Sequence, residues 1–206
     1  MDPWLDRRSA LAGGLATGAL MSGTPAVAAQ TPVTQFYSLL PAEGPHPSLG
    51  AHADTFGRLI GDWHGEYLIL PPDKPRFSGA LEFHIGWVLG GRAVQDVFIF
   101  SQPGARLEGA VSPATASTFG STIRFFDSSA GNWKVRWIDP TNNQIEGLTA
   151  NRVGDDIIQT GMSSTGKLTK WNFTDITPTS FTWRNHQLEA DGRSWVMREE
   201  YRLRRI

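Results

Sequence analysis

The sequence predicts an all-β fold: a closed antiparallel up-and-down β-barrel of about ten strands, with a short helix near its N-terminal end. Three observations carry this. From Leu59 to Arg205 almost every stretch reads as a strand, many with the apolar/polar alternation of a two-faced wall, and short turn sequences separate them. No long helical period lies between them, which argues against parallel βαβ units. Tryptophan recurs strand after strand, giving one face of the sheet the bulk to fill or line a barrel. About ten antiparallel strands leave two raw edges unless the sheet closes. Short links between sequential neighbours favour up-and-down closure over the longer Greek-key links of a sandwich, which is the other architecture the pattern allows.

The 206 residues suit one domain plus a tail. Residues 1–28 read as an export signal: Asp6-Arg7-Arg8-Ser9, then a mildly apolar Gly/Ala-rich stretch, then Pro25 and the small-x-small motif Ala26-Val27-Ala28. The arginine pair resembles a twin-arginine signal; a Sec signal or a retained helix are the other readings. The stretch is too short and Gly-rich for a membrane span, so a soluble periplasmic or secreted protein starting near Ala29 is expected. Residues 29–53 form a Pro-rich leader with a turn of helix near 35–40, and the barrel occupies 54–206. A short helix over 53–60, with Asp54 near its start, would close one barrel end.

The strands are expected at 63–70, 77–88, 92–100, 118–127, 133–138, 144–153, 156–162, 167–176, 180–188 and 195–204. Pro71-Pro72-Asp73, Leu89-Gly90-Gly91, Gln102-Pro103-Gly104, Asp139-Pro140-Thr141-Asn142-Asn143, Gly154-Asp155 and Asp191-Gly192 are among the turn signals that separate them. Trp133, Val135 and Trp137 share one face and Lys134 and Arg136 the other. Trp171 pairs in this sense with Phe173, and Phe181 with Trp183.

Gly61-Asp62-Trp63 on the first strand, with Arg202 or Arg204 on the last, resembles the Gly-x-Trp and arginine pairing of the calycin superfamily, which includes lipocalins and fatty-acid-binding proteins. That resemblance implies that Trp63 plugs one barrel end and that a guanidinium covers its ring. Leu59-Ile60-Gly61-Asp62-Trp63-His64-Gly65-Glu66 and Trp87-Val88-Leu89-Gly90-Gly91-Arg92 also resemble the lipocalin-like proteins grouped as the domain of unknown function DUF1579. It implies a fold over roughly Leu59 to Arg205 and no shared activity.

A net charge of −1 provides no field for a polyanion, so nucleic acid is not an expected partner. The absence of cysteine excludes disulfides, thiolate metal sites and a cysteine nucleophile. The C-terminal arginines read chiefly as a salt-bridge set with Glu199 and Glu200. No hydrolase, zinc-protease, phosphate-loop or dinucleotide motif is present. His, Asp and Glu show no zinc spacing, and no metal is expected. His186 raises a haem reading, because ten-stranded nitrobindin-like barrels bind haem through a histidine on the C-terminal side. The neighbouring motifs do not match, and no cofactor is expected.

Candidate ligand-binding residues are therefore polar or aromatic groups that a strand face would turn inward. Glu82 and His84 share a face opposite Leu81, Phe83 and Ile85; inward they would form an acid–base pair, outward they are solvated. Arg92 and Asp96 share a face with Val94 and would pair with each other or hold a ligand. Arg124 offers forked donors to an oxyanion, or pairs with a neighbouring carboxylate. Trp137 and Trp183 would stack on a flat ligand, or simply pack. The reading is an exported barrel that binds a small hydrophobic or aromatic molecule. The alternative is a cofactor-independent lyase- or isomerase-type enzyme in the same cavity. A filled, purely structural barrel is the third.

Overall fold

The computed structural model describes residues 35–106 and 116–206. The expected export signal over 1–28, the start of the leader and part of the polar loop before Thr118 lie outside the described residues. Two short segments open the described chain: a helix α1 (Gln35–Leu39) and a two-residue strand β1 (Pro41–Ala42). Ten longer strands follow: β2 (Gly61–Ile69), β3 (Phe77–Val88), β4 (Ala93–Phe100), β5 (Thr118–Asp127), β6 (Asn132–Asp139), β7 (Gln144–Val153), β8 (Asp156–Met162), β9 (Leu168–Thr174), β10 (Ser180–Leu188) and β11 (Trp195–Arg205). Each pairs antiparallel with its neighbours in sequence, and β11 pairs back onto β2. The result is a closed ten-stranded up-and-down barrel, with β1 added beside the end of β3.

The two-residue period sorts the side chains. Trp63 and Tyr67, then Leu81, Phe83 and Ile85, then Val94 and Phe98 turn inward and join one buried core with Trp133, Phe173, Phe181 and Leu203. One end of the barrel is closed by the chain before β2. A 3₁₀ segment (Pro47–Ala53), kinked at Gly50, runs into a four-residue helix α2 (Asp54–Gly57). The helix expected over 53–60 is thus shorter and starts in a different geometry. Pro47 seeds the 3₁₀ turn, and the chain must swing into β2 after Gly57. Phe56 of α2 is fully buried, edge-on to Trp133 at 5.1 Å and to Phe173 at 6.2 Å between centroids. The Asp54 carboxylate accepts a bond from Arg152 of β7, tying this plug to the wall.

The guanidinium over Trp63 belongs to Arg205, 4.1 Å from the ring centroid, and not to Arg202 or Arg204 as expected. The register explains the correction: Arg205 lies opposite Trp63, and it shares inward parity with Leu203 and Tyr201. Arg202 and Arg204 alternate outward, and Arg202 pairs with Glu200 at 2.7 Å. Gly61, at φ 135°, leaves the space that Arg205 fills; a Cβ there would stand 2.3 Å from Nη1. Among the described residues no helix is long and apolar enough to cross a membrane.

Candidate ligand site

The opposite end of the barrel, where β2 ends and β3 begins, holds a cavity of about 600 Å³. Its walls are aromatic: Phe98 and Phe100 from β4, Trp137 from β6, Trp171 from β9, Trp183 from β10 and Tyr201 from β11. Trp183 stacks on Tyr201, with centroids 4.4 Å apart and planes 14° from parallel. Trp137 lies close against β5 because residue 120 is glycine; a Cβ there would come within 2.2 Å of the indole. These rings present flat apolar surface with polar edges, the lining expected of a small-molecule pocket.

The deep side of the cavity is formed by Arg124, which is 2% exposed. Its Nη1 donates to Asp96 Oδ2 at 2.5 Å, and Asp96 Oδ1 also accepts from the Thr122 backbone N–H at 2.7 Å. Burial pushes the Asp96 carboxyl up, and Arg124 and Thr122 draw it back in part. The guanidinium carbon lies 5.0 Å from the centroid of Phe56 and 5.8 Å from that of Phe173, so Arg124 stands between the cavity and the plug.

Three carboxylates line the same cavity: Asp139 at the end of β6, Glu146 on β7 and Glu199 on β11. Their hydrogen-bond donors are neutral. Asp139 accepts from the Asn142 backbone and side chain at 3.0 and 2.7 Å. Glu146 accepts from the Ser164 N–H at 2.9 Å. Glu199 accepts from the Tyr201 hydroxyl and, at 3.3 Å, from Asn185 Nδ2. Asn185 is itself fixed by the Thr169 hydroxyl, which donates to its Oδ1 at 2.6 Å. Burial raises the Glu199 carboxyl above its ordinary value; the bonds from Tyr201 and Asn185 oppose this, and the charge of Glu146 adds to it. Burial and the Glu199 charge push the Tyr201 phenol well up.

Arg124, Trp137 and Trp183 therefore sit where inward-facing residues were expected, with Asp96 behind Arg124. Glu82 and His84 do not reach the lumen, because Leu81, Phe83 and Ile85 hold the inner face of β3. They stand on the outer wall, where His84 Nε2 bonds Glu82 at 3.0 Å, His84 Nδ1 bonds Asp62 at 2.7 Å and His64 lies 3.9 Å from Glu82. Arg92 precedes β4 at the plugged end and donates to His46 Nε2 at 2.8 Å, away from the cavity and from Asp96. His186 is on the outer face of β10, beside Lys170 and Arg184, whose charges join burial in lowering its pKa.

Glu199, Tyr201, Trp171 and Glu146 belong to the site without having been singled out. Glu199 reads as a partner for the terminal arginines, yet only Glu200 plays that part, bonding Arg184 at 2.8 Å and Arg202 at 2.7 Å. The signal that could have separated them is parity: Glu199, Tyr201 and Leu203 fall on one face and Glu200 on the other.

No family model matches the chain, and no curated protein matches it. Among solved structures it is similar to the crystal structure of Rv2717c from M. tuberculosis, with 16% identity over 79% of this chain and 99% of that one, and a TM-score of 0.51. It also matches the S-type phycobiliprotein lyase CPES from Guillardia theta at 10% identity, over 73% of this chain and 89% of that one, with a TM-score of 0.46. At this identity the first similarity concerns the fold alone.

Proposed function

We propose that the chain is an exported, lipocalin-like barrel that binds a small aromatic molecule in its lumen. The observation that carries the reading is the cavity of about 600 Å³ left open among inward-facing rings, where a purely structural barrel would be packed solid. Stacking on the tryptophans supplies affinity, and Arg124 and the lumen carboxylates supply orientation. Export rests on the signal-like residues 1–28, and kinship with calycins and the DUF1579 group rests on the motifs around Trp63 and Arg92.

The test uses N-phenyl-1-naphthylamine, a neutral aromatic dye that brightens in apolar surroundings. It should bind with energy transfer from the lumen tryptophans, and Trp183→Ala should weaken it. Native mass spectrometry of protein purified from its own host should show a retained small molecule. A dark dye and an empty spectrum together would end the binding reading.

A second reading has one observation in its favour. Glu199 and Tyr201 form a hydrogen-bonded pair in the cavity, and burial raises the Glu199 carboxyl toward neutral pH, as it often does for the acid–base carboxyl of an enzyme. Turnover of a co-purified molecule that is abolished by Glu199→Gln, with binding retained, would favour it.

A further inference from the structure

We propose that the occupant of the lumen is an organic cation, an aromatic ring bearing a protonated or quaternary nitrogen, held between the carboxylates of Glu146 and Glu199 and the rings of Trp137, Trp171 and Trp183. This deepens the lumen-binding reading and rests on it.

The argument is one of charge balance. Among the described residues, four ionisable side chains of acid or base type other than tyrosine line the cavity: Arg124, Asp139, Glu146 and Glu199. Arg124 is committed to Asp96 at 2.5 Å and adds no free positive charge to the lumen. The three carboxylates have neutral donors as their hydrogen-bond partners: Asn142, Ser164, Asn185 and Tyr201. Glu146 and Glu199 line the same cavity, and their like charges repel each other where aromatic walls exclude much of the water that would screen them. A neutral apolar ligand would deepen that penalty by displacing water from the carboxylates, and an anion would add to it. A cation relieves it.

The walls suit the same charge. An aromatic face attracts a cation, tryptophan most strongly, and three tryptophans line this cavity. The three indoles also meet one another, Trp137 edge-on to Trp171 at 6.5 Å and Trp171 tilted on Trp183 at 5.6 Å between centroids, so they form one continuous aromatic wall.

The test compares three rings of one size on the whole chain: 1-methylquinolinium, 1-methylnaphthalene and 1-naphthoate, followed by quenching of tryptophan fluorescence. The cation should bind at least tenfold more tightly than the neutral isostere, and the anion most weakly. Glu199→Gln and Glu146→Gln keep the shape of each side chain; each should cut cation affinity fivefold or more and leave the neutral ring unchanged. Circular dichroism verifies that each variant is folded, and two variants guard against the loss of one. Equal binding of cation and neutral ring, or cation binding indifferent to both substitutions, overturns the charge assignment while leaving the lumen reading intact. Failure of all three rings to bind, together with an empty native spectrum, overturns both.

Discussion

Arg205 lies across the indole of Trp63 at 4.1 Å and uses the same guanidinium to join three segments of chain. Its Nη1 donates to Ile60 O at 2.7 Å, its Nη2 to Arg58 O at 3.2 Å and its Nε to Pro178 O at 2.8 Å. The last strand, the entry to β2 and the β9–β10 turn are thereby tied at the plugged end. Arg205→Ala removes the ring contact and three charge-assisted bonds, and should cost about 2–4 kcal/mol. Arg202→Ala removes an exposed guanidinium from Glu200, which keeps its bond to Arg184, and should cost less than about 1 kcal/mol. Urea unfolding of the two variants side by side separates Arg205 from its neighbour as the closing residue.

Gly120 sets the room available in the cavity. A methyl group at this position meets the Trp137 ring at 2.2 and 2.5 Å, well inside contact distance. Gly120→Ala should push the indole into the lumen, cost about 1–3 kcal/mol and weaken binding of N-phenyl-1-naphthylamine. Dye titration and the urea midpoint read the two effects from one preparation.

Much of this architecture is legible in the residues, for identifiable reasons. The bounds of β3, β5, β7, β8 and β10 follow from turn residues at both ends, and the parity of Trp133, Val135 and Trp137 follows from their contrast with Lys134 and Arg136. Which polar residues enter the lumen is far less legible. Glu82 is 4% exposed yet lies on the outer wall, while Asp96 is 1% exposed and lies inside. Apolar neighbours flank both, so local polarity does not distinguish them. The identity of the closing arginine depends on the register between β11 and β2, a contact between strands more than a hundred residues apart. The carboxylate side of the cavity is hidden for a related reason: Glu199 beside Arg198, Arg202 and Arg204 suggests ion pairing, and only the closed sheet shows that its face of the strand is the inner one.

Glu199 predicts a pH dependence of stability. Burial raises its carboxyl in the folded protein above the ordinary value of 4.5. A raised acid favours the folded state while protonated, so this contribution is complete below the unfolded value and is lost as pH climbs through the folded one. Glu199→Gln keeps the group neutral at every pH. Its stability relative to the parent should therefore rise between acidic and neutral pH, as urea midpoints from pH 4 to pH 8 would register.

His84 has the opposite chemistry on the outer wall. Burial alone would lower it, but bonds to Asp62 and Glu82 outweigh burial and raise it above 6.5. The contribution is present below the unfolded value and disappears as pH rises through the folded one. With the ring 37% exposed it should amount to less than about 1 kcal/mol. His84→Gln should flatten the fall in stability between pH 6 and pH 9, leaving dye binding unaltered because the residue faces away from the cavity.

The Arg124–Asp96 pair offers the sharpest contrast between losing one charge and losing two. Both side chains are almost fully buried, at 2% and 0% exposure. Arg124→Met would strand Asp96 in the core without its counter-ion and should cost about 3–5 kcal/mol. Replacing both, Arg124→Met with Asp96→Leu, removes the stranded charge along with its partner. The double variant should recover most of the loss, because apolar contacts to Phe56 and Phe173 take the place of the guanidinium. A double-mutant cycle by urea unfolding measures the coupling directly, and it should exceed about 1 kcal/mol. Additive losses would mean that Asp96 is held by the Thr122 backbone rather than by Arg124. The deep side of the cavity would then owe its shape to packing on the plug helix, with the ion pair making no net contribution.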